Sequence, residues 1–139
     1  MAVQFVPLAG CYANALQQQT AFAASEMHLF QSSFVPTPSN VLADYTAAEA
    51  DYDDYAAIEM TTWFAPILAP GTGYMIQSPE VQFSVGDTDP VTPNVIGGCY
   101  LVDSTGALRF TIIFTSPVPM ELAHQGIPIN VVWFFPTGV

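Results

Sequence analysis

Asn94-Val-Ile-Gly-Gly-Cys-Tyr-Leu-Val-Asp103 and Ala107-Leu-Arg-Phe-Thr-Ile-Ile-Phe-Thr115 flank Ser104-Thr105-Gly106, and this stretch decides the fold. Two runs rich in β-branched and aromatic residues, joined by a short glycine-containing loop, specify a β-hairpin. The second run is almost continuously apolar, as expected of a strand buried on both sides or set at an interface.

Outward from the hairpin the pattern stays β. Val81, Phe83 and Val85 alternate with Gln82 and Ser84, so Val81–Val85 reads as a half-buried strand. Tyr74–Gln77, Ile58–Trp63 and residues 26–31 add further short strands, and Ile127–Phe135 is a last, mostly apolar one. Pro66, Pro70, Gly71 and Gly73 mark a loop, residues 86–93 a turn, and residues 35–40 an extended connection through Pro36 and Pro38. Ser116-Pro117-Val118-Pro119-Met120 is expected to be a Pro-broken connection, because proline cannot sit in a central strand. The exceptions to β lie early. Residues 8–24 are rich in Ala, Leu and Gln and predict a short helix with Tyr12, Leu16, Gln19 and Ala23 near one face. Thr46 and Glu49 have the spacing of a capping box, which predicts a helical turn over 46–52. The sum is mainly β: a single-domain β-sandwich or partly open barrel over 1–139, with 1–25 as an N-terminal arm and helix and 26–139 as the β domain, joined by Pro-rich connections.

The composition limits what such a domain does. Twelve acids face one arginine, Arg109, and no lysine, for a net charge of −11. A single cation makes no basic patch, which argues against nucleic acid and against anionic membrane surfaces as partners. No apolar run approaches the roughly 20 residues of a membrane span. The start, MAVQFVPLAGCYANA, has no basic n-region, so a signal peptide is not expected and assembly in the cytoplasm is. Charged residues make up 9% of the chain, far below the quarter or so of ordinary domains, while 51% are hydrophobic. That balance predicts a subunit that buries surface against copies of itself or another protein. The alternative is a monomer surfaced with Ser, Thr, Gln, Asn and Pro. Cys11 and Cys99 are expected to be buried thiols, since nothing in a separation of 88 positions brings them together.

Half of the acids, Asp44, Glu49, Asp51, Asp53, Asp54 and Glu59, fall within 16 residues. They lack the spacing and turn glycine of a calcium loop, so a solvated acidic face is expected and no metal site. No nucleophile elbow, C-x-x-C pair or phosphate-binding glycine loop occurs, and no catalytic residue or cofactor is expected. His28 lies on the same strand face as Glu26 and Phe30 and reads as a half-exposed strand histidine.

Leu29-Phe30, then Pro36-Thr37-Pro38 and Val41-Leu42-Ala43-Asp44-Tyr45-Thr46, then Glu49-Ala50 and Tyr55-Ala56 stand in an order that resembles a family of small virion structural proteins of tailed bacteriophages. Tyr100-Leu101-Val102-Asp103 with Gly106 and Leu108 resembles the hairpin of that family, and Pro117, Pro119 and Met120 the segment after it. The chain departs from the family pattern at Ala48, Asp53 and Asp54. What the resemblance implies is a noncatalytic virion protein, with the major capsid protein as partner. A capsid decoration or cement protein on the capsid exterior, bridging subunits as a homo-oligomer with a trimer as working expectation, is the first reading. A tail or receptor-binding accessory is the second; it requires an open aromatic platform of Trp63, Tyr45, Tyr52 and Tyr55. A small hydrolase, with two of the acids facing across a cleft, is the third. Phe5, Phe30, Phe34, Trp63, Phe114, Trp133 and Phe135 are the candidate core or interface anchors.

Overall fold

Strands outnumber helices throughout: the computed structural model, which describes residues 8–68 and 73–136, is 42% strand and 15% helix. Its sheets are open and sandwich-like, with no closed barrel and a short N-terminal helix, as the sequence predicts. The chain gathers into two compact units, one of residues 25–59 and 81–129, the other of residues 1–24, 60–80 and 130–139.

In the first unit, β1 (Ser25–Gln31) and α2 (Leu42–Ala47) precede β2 (Ile58–Met60), and β5 (Val81–Ser84) precedes the long hairpin of β6 (Asn94–Val102) and β7 (Leu108–Met120); β8 (Gly126–Ile129) follows. The main sheet runs β2-β1-β6-β7. Two central strands supply the core. Met27 and Leu29 from β1 and Cys99 and Leu101 from β6 are completely buried on one face. On the other face Phe30 and Tyr100 pack with Tyr45 from α2, and Phe34, Leu42, Val102 and Leu108 close over them. Phe30 meets Phe34 and Tyr45 edge to face, at centroid separations of 5.7 and 6.0 Å. Gly97 and Gly98 lie inside β6 beneath that ring, where a Cβ at Gly98 would stand 2.1 Å from the Ile112 carbonyl oxygen. A second sheet pairs β5 with β8 antiparallel, Val81 opposite Ile129.

The hairpin turn is held by one side chain. The Asp103 carboxylate accepts from the Thr105 N–H, the Thr105 hydroxyl and the Ala107 N–H, and Gly106 takes the positive φ of 82° that the turn needs.

The second unit holds α1 (Leu8–Phe22) with β3 (Ile67–Leu68), β4 (Gly73–Gln77) and β9 (Val132–Pro136) in the order β3-β4-β9. Here α1 lies against β4 and β9, whereas sequence alone sets residues 1–25 apart as an arm. The helix buries Ala15 and Phe22, seven residues and two turns apart, and leaves Tyr12 and Leu16 exposed, so the apolar line is rotated from the expected one. Phe22 packs on Trp63 and Trp133 at 4.9 and 5.6 Å.

Three boundaries differ from the sequence reading. The segment 116–120 is not a connection: β7 continues through Pro117 and Pro119, with Pro119 opposite Val95. The strand is at the sheet edge, where a missing N–H takes nothing from the ladder. A bulge absorbs the change in register, four residues of β7 (114–117) facing Gly97 alone on β6. The last strand is two strands in different sheets, because the chain breaks at Asn130–Val131 to exchange backbone and side-chain hydrogen bonds with Ser78. The helical turn expected over 46–52 lies earlier. Asp44 accepts from the Val41 N–H at 2.9 Å and starts α2 at Leu42, while Thr46 bonds back to Leu42 in its last turn.

Candidate functional site: a carboxylate–histidine–tyrosine cluster and an exposed edge strand

Past the end of α2 the backbone returns to β1. Gln31 donates its N–H to the Ala48 carbonyl and Ala50 to that of Leu29, so Glu49 stands opposite Phe30. Its carboxylate then reaches two groups on the sheet. Glu49 Oε1 lies 2.5 Å from His28 Nδ1 and accepts the Tyr100 hydroxyl at 2.9 Å. The other ring nitrogen of His28 faces Glu26 at 3.3 Å, and the imidazole stacks on Tyr100 at 4.9 Å. Burial first, then the Glu49 carboxylate, pushes the Tyr100 phenol well above its ordinary value, so it remains a donor.

His28 is thus a partly exposed strand histidine, as the sequence reads, with a carboxylate facing each ring nitrogen. The cluster ties β1, β6 and the segment after α2 together. Three shallow surface depressions are lined by other residues, and none includes His28, Glu26 or Glu49.

Three further acids of the 44–59 run, Asp51, Asp53 and Asp54, engage loops. Asp53 accepts from the Val91 and Thr92 N–H groups and Asp54 from the Gly86 N–H. Asp51 bonds Asn94, whose buried side chain also accepts the Asp51 and Tyr52 N–H groups at 2.7 and 3.0 Å. These carboxylates remain at the surface, yet each staples a loop to a neighbour instead of forming only a solvated face. Among the described residues no three His, Cys, Asp or Glu side chains converge as metal ligands. Chelating divalent ions is accordingly expected to leave the thermal midpoint unchanged; a rise of several degrees on adding calcium would contradict this use of the acids.

Asp103 is the buried carboxylate, and Arg109 donates to it from Nε at 2.7 Å. The Thr105 hydroxyl and the Ala107 N–H, ahead of the guanidinium, hold it well below the usual carboxylate range. Asp44 and Asp53 are lowered in the same direction by backbone N–H groups. Folded values below the unfolded value of about 3.9 mean stability that is present near neutrality. It is lost as the pH falls through the unfolded value toward the folded one. Wild type should weaken steadily from about pH 5 downward, and the Asp103→Asn variant, weaker at pH 7, should show a shallower decline. Urea unfolding at a series of pH values measures both; parallel declines would remove Asp103 from the account.

The aromatic candidates separate clearly. Phe30 and Trp63 are 1% and 3% exposed and, of the two places offered for the anchors, take the core. Trp63 Nε1 has no hydrogen-bond partner among the described residues. Tyr45 and Tyr52 are buried as well, so the open aromatic platform required by the receptor-binding reading is not formed. Phe34 is half-buried against the Phe30 cluster, and Trp133 packs on Phe22. Phe5 and the Phe135 side chain lie outside the described residues, as do residues 69–72 of the glycine-proline loop and the side chain of Cys11. Cys99 is a free, buried thiol, pushed up to about 12 by burial. Phe114 is half-buried beside Val118, Ile127 and Pro128, along one flank of β7.

That strand is the second notable feature. No residue from Leu108 through Pro119 is buried, although the run includes Leu108, Phe110, Ile112, Ile113 and Phe114. Ile113 is 60% exposed, and it borders a shallow groove of about 360 Å³ whose far wall is Pro36, Thr37 and Pro38. The sequence offered burial on both sides or an interface for this run; within the chain most of its apolar side chains are half-buried, with Leu108 packed against the Phe30 cluster and Ile113 exposed.

Family models, curated proteins and solved structures were compared with the chain, and none matches. No described helix is long and apolar enough to cross a membrane. The resemblance to virion proteins accordingly stands on its own residues. Two features escaped the sequence reading. Glu49 was assignable from spacing only as a helix cap, and Asn94 as the first residue of a strand. Neither role has a local signal, because their partners lie 21 to 51 positions away.

Proposed function

We propose that this chain is a noncatalytic structural protein of a tailed-bacteriophage virion, a decoration or cement protein that binds the capsid exterior and bridges subunits of the major capsid protein. The observation that carries the reading is β7, a thirteen-residue strand at the edge of the main sheet, in which no residue before Met120 is buried and Ile113 is 60% exposed. A long exposed edge is an aggregation hazard unless something covers it, and natural edge strands are usually short, charged or shielded. Here the cover is a neighbouring subunit. The charge supports an outward position, because a chain with a net charge of −11 is repelled by packaged DNA. Electron microscopy of the intact particle tests the assignment. Density for this chain over capsid subunit junctions is expected, and density confined to the tail would overturn it.

A further inference from the structure

We draw no further inference here: the strongest candidate, the side-chain cluster of Glu26, His28, Glu49 and Tyr100 on the main sheet, belongs to the site already described and borders none of the three surface depressions that could admit a ligand.

Discussion

Replacing Gly98 with alanine is expected to lower the stability of the chain by about 3 kcal/mol, at the upper end of what overpacking a core costs. An alanine Cβ would stand 2.1 Å from the Ile112 carbonyl oxygen and 2.5 Å from the Phe30 ring. The ring could turn aside, but the carbonyl belongs to the neighbouring strand and moves only if β6 and β7 separate. Against a total of roughly 5–15 kcal/mol for a native domain, such a loss is a large fraction. Urea denaturation followed by circular dichroism measures it. A cost below about 1 kcal/mol would mean that the strands are not packed as closely as described.

Phe30→Ala should cost about 4 kcal/mol, by removing a fully buried ring and leaving a cavity among Phe34, Tyr45 and Tyr100. Phe30→Leu keeps most of the volume and should cost under about 1.5 kcal/mol. The two sites touch, so their effects should not add. With the ring gone, the second clash of an alanine at position 98 disappears while the Ile112 carbonyl clash remains. The double variant should therefore cost about 1 kcal/mol less than the sum of the single ones. Additive costs would show that the ring and the glycine do not share one packing site.

The same pair of residues shows how far the sequence could be read. Phe30 stood out as a large aromatic in a strand, and Gly98 as a glycine among apolar neighbours. Neither carries a mark that one was made small so that the other could lie flat on it. The hairpin was legible up to Thr115, because its information is local: two β-rich runs joined by a short loop whose glycine takes the positive φ. The alternation of Val81, Phe83 and Val85 was legible for the same reason. Pro117 and Pro119 were misread as a break because proline excludes a central strand, and only the strand order shows that β7 is at the edge. The aromatic candidates were legible as a set and not as individuals. Hydrophobicity gives the tendency to be buried, and neighbours from other parts of the chain decide whether it is met.

Taken alone, then, the sequence determined the β class, the hairpin and its turn, a chain without the cations that nucleic acid requires, and a surplus of apolar surface. Those follow from residue type and period-two spacing, which act over a few neighbouring residues. Tertiary structure alone decided that Glu49 joins His28 and Tyr100, that Asp51, Asp53 and Asp54 hold loops, and that β7 is the edge strand of the main sheet. Each of these depends on which distant segments lie side by side, and sequence spacing carries no measure of that distance.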